Sequence, residues 1–154
     1  MSEPVLARWR ATFSELRPDV PVDIDGLYAP DIQFRDPIHT LDGIEVVRGY
    51  FARLNAGLRS CRFVHDVHAE YPGGAILLWT MHLVLARKPK RTIVVPGATH
   101  LRWREGRVTH QTDYFDAGAL LYEQVPLLGG LVRRVKAMAS GQGRRSRNDG
   151  GPRT

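Results

Sequence analysis

The hydrophobic pattern of the chain changes from helical spacing near the N-terminus to alternation in the middle. Apolar residues recur three or four positions apart from Val5 to Leu16 and from Ile44 to about Arg59, which predicts two amphipathic helices. Prolines 18 and 21 end the first helix, and the segment 22–30 (VDIDGLYAP) is typical of a short helical piece. A short strand, 31–36, follows it.

After the second helix, alternating and continuously apolar segments predict a run of strands joined by tight turns. Phe63, His65, Val67 and Ala69 share one face of the first of them. The predicted strands cover residues 61–71, 75–87, 92–104 and 107–116. Helices followed by hairpin-linked strands predict an α+β fold, in which a curved antiparallel sheet packs on helices and encloses a pocket.

Charge and composition divide the 154 residues into one domain, residues 1–139, and a basic, disordered tail, residues 140–154. Seven basic residues and one acidic residue follow position 132, which accounts for the whole net charge of +6. The neutral body therefore gives no reason to expect a nucleic-acid partner.

Several classes of protein and of site are not expected from this composition. No apolar run approaches the length of a membrane span, the N-terminus lacks a signal pattern, and membrane binding is not expected. The single cysteine, Cys61, excludes an internal disulfide and favours a cytoplasmic location. No Cys and His cluster suggests a metal, and no cofactor is expected.

The stretch YAPDIQFRDPIHTLDG (28–43) contains a carboxylate where an apolar side chain is expected. Ile32 and Phe34 alternate on one face of the predicted strand, and Asp36 is the next residue on that face. An aspartate before proline commonly accepts hydrogen bonds from its own turn. The alternative is a buried carboxylate that takes part in proton transfer.

The order of elements and four motifs resemble the nuclear-transport-factor-2-like superfamily, whose fold is a cone of helices wrapped by a bent sheet. The motifs are LYAPDIQFRDP, the helix IEVVRGYFARL, the EGRV turn and HQTDYFD. The resemblance runs from Val5 to about Ala139 and implies a cone-shaped curved sheet around the N-terminal helices, followed by a C-terminal helix. Because the superfamily hosts enzymes and binding proteins, it implies a pocket rather than one reaction.

The opening motif is similar to that of the bacterial ketosteroid isomerases, whose Asp-Pro aspartate shuttles a proton beside a ketone. Asp36 has the same spacing from a Tyr-Ala pair, so the resemblance makes it the candidate base. Matching aromatic pocket positions are Tyr28, Tyr50 and Phe51. The two oxyanion donors of that family fall near Thr12 or Phe13 and near Thr99, so the steroid reaction is not implied.

The last strand is similar to that of the limonene-epoxide hydrolases, in which an aspartate of a DYFD-like motif acts on water or on the epoxide. Asp113 fits that position. The arginine and second aspartate of that family fall at Thr80 and His82, and its tyrosine and asparagine fall at Phe34 and Asp36. One catalytic residue is thus kept, and epoxide hydrolysis is not implied as such.

Strand alternation places Gln111, Asp113 and Phe115 on one face of the last strand, and the resemblance puts this face in the pocket beside the strand bearing His82. Asp36 and Asp113 are then expected to share one apolar cavity. Desolvation and mutual repulsion raise the pKa of at least one carboxylate in such a pair. His82 is the expected orienting partner of Asp113.

Other positions have mainly structural interpretations. Asp116 is expected to cap the last helix, and His39 is expected to be an exposed loop residue. For Trp79, Met81 and Leu83, packing in the core or against another subunit is the first expectation, although they could line a ligand site.

The sequence therefore predicts a SnoaL-like or ketosteroid-isomerase-like pocket protein, and its C-terminal segment LYEQVPLLGGLVRRVKA resembles uncharacterised bacterial members of that group. The first functional hypothesis is a cofactor-independent isomerase, cyclase or hydrolase that uses Asp36, Asp113 and His82 on a small hydrophobic substrate. The expected substrate-binding residues are Tyr28, Phe34, Tyr50, Phe51, Thr80, Thr99, Gln111 and Phe115. The alternative is a non-catalytic carrier of a small apolar ligand. Strands apolar on both faces also predict a homodimer through the sheet.

Overall fold

A computed structural model describes residues 4–122, without the side chains of the last two. The four helices among these residues are α1 (Val5–Thr12), α2 (Ile24–Leu27), α3 (Ile44–Gly57) and α4 (Ala117–Tyr122). The seven strands are β1 (Glu15–Leu16), β2 (Tyr28–Arg35), β3 (Thr40–Asp42), β4 (Leu58–Tyr71), β5 (Gly74–Leu85), β6 (Thr92–Arg104) and β7 (Arg107–Phe115). The predicted α+β class is confirmed.

The strands form one curled sheet in the order β1-β4-β5-β6-β7-β2-β3. All neighbours are antiparallel except β2 and β7, which run parallel. The β4–β5 and β6–β7 turns use glycines in the left-handed region, Gly73 at φ 78° and Gly106 at φ 75°. These hairpins keep β4 to β7 adjacent, and the parallel pairing brings the end of β2 next to β7.

The inner face of the sheet packs on α1 and α3, where the apolar stripes predicted from sequence are buried. Val47, Phe51 and Asn55 are the buried positions of α3, spaced by four residues. Val5, Leu6 and Trp9 are buried on α1. The helices thus provide one wall of the interior and the sheet provides the other.

The first helix is shorter than its apolar pattern predicts. It ends at Thr12, and Leu16, which was expected on the helix, pairs with Cys61 in the short β1–β4 ladder. The backbone carbonyl of Ser14 also accepts a hydrogen bond from the N–H of Phe63 at 2.9 Å. Pairing with β4 therefore replaces a last helical turn that apolar spacing alone favours.

A register shift in β4 divides a set of residues that alternation had placed on one face. The shift lies between His65 and Val67. Phe63 and His65 pair with Met81 and Trp79 on the inner side, whereas Val67 is 63% exposed. The extra residue of a bulge turns the following side chains to the other face, and it increases the local twist.

The C-terminal predictions are tested only in part. Asp116 accepts a hydrogen bond from the N–H of Ala119 at 3.3 Å, which confirms its expected role as a cap of α4. The rest of the predicted C-terminal helix and the basic tail lie outside the described residues. Within residues 4–122, no helix combines the length and hydropathy required to cross a bilayer.

Candidate functional site

A cavity of about 110 Å³ lies between the inner face of the sheet and the helices α1 and α3. Its apolar lining consists of aromatic, aliphatic and sulfur-containing side chains, namely Trp9, Phe13, Leu16, Phe34, Phe51, Leu54, Leu58, Cys61, Phe63, Trp79, Met81, Leu83, Phe115 and Leu120. The polar lining consists of Asp36, Tyr50, Thr99, Gln111 and Asp113. The cavity therefore combines a large apolar wall with a small group of titratable and hydrogen-bonding side chains.

The strand register gathers most of these polar side chains in one region of the sheet. Asp113 on β7 lies directly opposite Thr99 on β6. Arg35, the last residue of β2, is paired with Thr112, so the parallel register continued by one residue brings Asp36 beside Asp113. Neighbouring strands are about 4.8 Å apart, so the two carboxylates are close enough to interact.

Asp113 is surrounded by neutral hydrogen-bond donors. The Thr99 hydroxyl donates to Oδ1 at 2.7 Å, and the Gln111 amide lies 3.2 Å from both carboxylate oxygens. Burial raises the pKa of Asp113 to about 7, an increase that the donors oppose and the nearby Asp36 charge reinforces. Asp113 is therefore protonated in part of the molecules at neutral pH.

A second layer of hydrogen bonds fixes the orientation of these donors. The Gln111 oxygen accepts from the indole of Trp9 at 2.9 Å and from the hydroxyl of Tyr28 at 2.6 Å. The Trp79 indole donates to the Thr99 oxygen at 2.9 Å. Because the Gln111 oxygen is occupied by two donors, its amide nitrogen must point to Asp113.

Asp36 has a different environment, rich in donors that stabilise a carboxylate. Its Oδ1 accepts from the backbone N–H groups of Ile38 at 2.7 Å and His39 at 2.6 Å. The His39 Nδ1 lies 3.1 Å and 3.0 Å from the two oxygens, and Tyr50 donates to Oδ2 at 3.3 Å. The carboxylate of Asp36 therefore binds its own turn and also lines the cavity, and its role in proton transfer stays a prediction.

Tyr50 connects Asp36 to the aromatic wall. Its ring lies 5.4 Å from that of Phe34 and 5.1 Å from that of Phe51, measured between centroids. Burial, followed by the charges of Asp36 and Asp113, raises the pKa of Tyr50 well above its usual range. The phenol therefore stays protonated and acts as a donor inside the cavity.

Most of the sequence-predicted site residues come together here. Besides the two carboxylates, the predicted residues that line the cavity are Phe34, Tyr50, Phe51, Thr99, Gln111 and Phe115. Tyr28 is fully buried but lies behind Gln111, to which it donates a hydrogen bond. The structure thus places Tyr28 in the support of the site rather than on its surface.

The expected positions of Thr80 and His82 are wrong. Their strand neighbours Trp79, Met81 and Leu83 line the cavity, and successive side chains of a strand point to opposite faces. Thr80 and His82 therefore lie on the outer face of β5, and the structure does not bring His82 to Asp113. The donors that orient Asp113 are Thr99 and Gln111 instead.

Sequence reasoning assigned the inward residues of β5 to packing and His39 to an exposed loop. The sequence contains the information that identifies the inward residues of β5, because His82 and Met81 are adjacent on one strand and cannot both point inward. The signal for His39 was its position three residues after Asp36, within reach of a turn closed by the aspartate. Trp9 and Phe13 were predicted on the apolar face of a helix, and no local pattern distinguishes a cavity wall from a solid core.

Comparison with known proteins agrees with this architecture. Residues 6–111 match the model of the SnoaL-like domain family. A hypothetical protein with a ketosteroid isomerase-like fold from Catenulispora acidiphila, solved in complex with trimethylamine, is 21% identical, with a TM-score of 0.65 over 77% of this chain and 90% of that chain.

Two further solved structures are similar. A SnoaL-like polyketide cyclase, so named provisionally, from Jannaschia sp. CCS1 is 13% identical, with a TM-score of 0.64 over 79% of this chain and 94% of that chain. An NTF2-like protein of unknown function from Burkholderia pseudomallei K96243 is 18% identical, with a TM-score of 0.64 over 78% of this chain and 96% of that chain. No curated protein sequence matches at a significant level. The family model matches more than half of the length of this chain, so the chain belongs to the SnoaL-like domain family.

Proposed function

We propose that the cavity is the active site of a cofactor-independent enzyme that transfers a proton on a small hydrophobic carbonyl compound. The observation that carries this proposal is the pair of carboxylates, Asp36 and Asp113, which line one cavity in opposite environments. Asp36 accepts hydrogen bonds from two backbone N–H groups, whereas Asp113 accepts them from the neutral side chains of Thr99 and Gln111. Two titratable groups with such different environments are suited to act as base and acid.

Asp36 serves as the base in this proposal. Its carboxylate lines the cavity and can accept a proton from a carbon next to the carbonyl group of the substrate. The backbone donors of the 36–39 turn hold the carboxylate in one orientation. A fixed base needs little reorganisation when the substrate binds.

Asp113, in its protonated form, serves as the acid that donates to the carbonyl oxygen. Its pKa of about 7 leaves this form populated at neutral pH. The protonated phenol of Tyr50 lines the same cavity and donates its hydrogen to the base, Asp36. The reaction rate is therefore expected to fall as the pH rises above about 7, because Asp113 then loses the proton that it donates.

The size of the cavity limits the substrate. An engineered protein cavity of about 150 Å³ holds benzene. At about 110 Å³, this cavity is smaller, so the proposed substrate is no larger than a single small ring and is not a steroid. A monocyclic enone is consequently a suitable probe.

The test is the conversion of 3-cyclohexen-1-one to 2-cyclohexen-1-one, followed by the absorbance of the conjugated enone. Asp36→Asn is expected to lower the rate by a factor of about 10² to 10⁴, as is typical for loss of a general base. Asp113→Asn is expected to lower it and to remove its dependence on pH near 7. Asp66→Asn, which changes an exposed carboxylate, is the matched control.

The alternative function is binding without catalysis. Among the described lining residues there is no lysine or arginine that could hold an enolate oxygen. Binding of cyclohexanone can be followed by the fluorescence of Trp9 and Trp79, which line the cavity. Wild-type protein that binds cyclohexanone without isomerising the enone, together with unchanged binding by both Asn variants, would contradict the proposed enzyme and favour a carrier.

We also propose that two chains associate through the outer face of the sheet. One apolar row crosses four strands, because Val67 faces Leu78, Leu78 faces Ala98 and Ala98 faces Tyr114. Val67, Leu78 and Tyr114 are 63%, 48% and 59% exposed in the single chain. A continuous exposed apolar surface of this kind is typical of an interaction site.

A further inference from the structure

We propose that His39 is a positioning residue that also carries protons between the buried carboxylate of Asp36 and the solvent. The inference rests on the proposed function, because it provides a route for the proton that Asp36 takes from the substrate. It assigns a role to a residue outside the cavity lining.

The contact geometry between the two side chains is the first support. The Nδ1 atom of His39 lies within hydrogen-bond distance of both oxygens of Asp36, at 3.1 Å and 3.0 Å. The Asp36 side chain is 3% exposed and that of His39 is 38% exposed. His39 therefore bridges a carboxylate that water hardly reaches and the surface of the protein.

The local fold holds His39 in this position. The backbone N–H of Asp36 donates to the carbonyl of His39 at 3.0 Å, and the N–H of His39 returns a bond to Oδ1. The imidazole ring also packs on Tyr50, with 4.8 Å between ring centroids. Backbone pairing, the side-chain contact and ring packing thus fix the same geometry.

The second side chain bonded to Asp36 cannot carry the proton at neutral pH. Tyr50 donates to Oδ2, but burial and the two carboxylates raise its pKa well above its usual range. Imidazole is the side chain that gains and loses protons most readily near neutral pH. Of the described side chains that contact the Asp36 carboxylate, His39 is the one suited to a relay.

The transfer balances without any further reactant. While Asp36 is ionised, His39 holds its hydrogen on Nδ1. Once the substrate has protonated Asp36, exchange with water moves that ring hydrogen to Nε2, and Asp36 then gives its proton to the free electron pair on Nδ1. The carboxylate regains its charge and the ring becomes an imidazolium. The imidazolium then releases the Nε2 proton to water, and solvent can protonate Asp36 by the reverse path.

The test uses the full chain and the isomerisation of 3-cyclohexen-1-one in D₂O. A proton that stays on Asp36 returns to the substrate, whereas a proton that passes through His39 is replaced by deuterium. His39→Asn retains an N–H donor near Asp36 but cannot titrate. We expect it to lower the rate, because a contact that positions the base is lost, and to leave at least about threefold less deuterium per product molecule than the wild type.

The control is His68→Asn, a substitution of the same type at an exposed position of β4, which should match the wild type in both measurements. Equal deuterium content in the products of His39→Asn and wild type would overturn the relay, whether or not the rate changes. A lower rate alone would mean that His39 only supports the fold of the turn.

A second measurement separates the relay from the proposed function. If the wild type does not isomerise the enone, the proposed function fails, and ¹⁵N NMR of the imidazole groups decides the inference about His39. In a spectrum recorded at about pH 8, the ring hydrogen of His39 that faces the Asp36 carboxylate should lie on Nδ1, and Asp36→Asn should shift it toward Nε2. His39→Asn identifies the signal, and the same tautomer in wild type and Asp36→Asn would overturn the contact and the relay with it.

Discussion

Replacement of Asp113 by asparagine tests whether ionisation of this buried carboxylate destabilises the folded protein. Burial raises the pKa of Asp113 from 3.8 to about 7. Below pH 3.8, Asp113 is protonated in both the folded and the unfolded chain. As the pH rises, the unfolded chain releases its proton first, so the folded state loses stability until the pH passes about 7.

The magnitude follows from this difference in pKa. Each pH unit in which the two states differ by one proton changes the free energy of unfolding by about 1.4 kcal/mol, which gives about 4 kcal/mol in total. About 2 to 3 kcal/mol of this loss falls between about pH 5 and pH 8. Asp113→Asn does not titrate, so its free energy of unfolding should rise relative to wild type by this amount over the same interval.

Urea unfolding followed by tryptophan fluorescence measures the effect, since Trp9 and Trp79 are buried in the cavity wall. Asp66→Asn again serves as the exposed control and should follow the wild-type pH dependence. If the free energies of wild type and Asp113→Asn run parallel from about pH 5 to pH 8, the carboxylate is not held in a desolvated site, and its role as an acid is refuted.

Three further substitutions test the support of the site and its outer surface. Gln111→Leu leaves two buried donors unpaired and should lower the free energy of unfolding by about 2 to 4 kcal/mol in urea titrations. Gly97→Ala places a methyl group in steric conflict with the Trp79 ring, and should lower the free energy of unfolding by about 1 to 3 kcal/mol and alter the tryptophan fluorescence. Leu78→Lys inserts a charge into the apolar row and should convert a dimer to a monomer in light-scattering measurements at micromolar concentration.

Each of these substitutions has a matched control in the chain. Gln33→Leu changes an exposed glutamine, and Gly57→Ala adds a methyl group that meets no heavy atom within 4 Å. Val46→Lys changes an α3 residue that is 49% exposed, close to the 48% of Leu78. A control that matches the effect of its partner would contradict the reasoning for that pair, and a wild type that is already monomeric would contradict the proposed dimer.

Local sequence patterns were sufficient for most of the fold. The spacing of apolar residues and the positions of turn residues predicted α3 and the four long strands. A helix or a hairpin buries one face, and the spacing of apolar residues along that segment defines this face. The pattern failed at Leu16, where strand pairing replaces a helical turn, and at Val67, where a bulge reverses the alternation. Both failures arise from contacts between segments that are distant in the sequence.

The sequence by itself identified Asp36 and Asp113 as candidates and, through strand alternation, placed Gln111 with Asp113. Which residues meet was decided by the tertiary structure. The parallel pairing of β2 and β7 sets the two carboxylates side by side, and the inward face of β5 excludes His82 while it brings Trp79 to Thr99. Alternation defines two faces of a strand but does not say which one is buried, and the acid–base properties of a carboxylate depend on that burial.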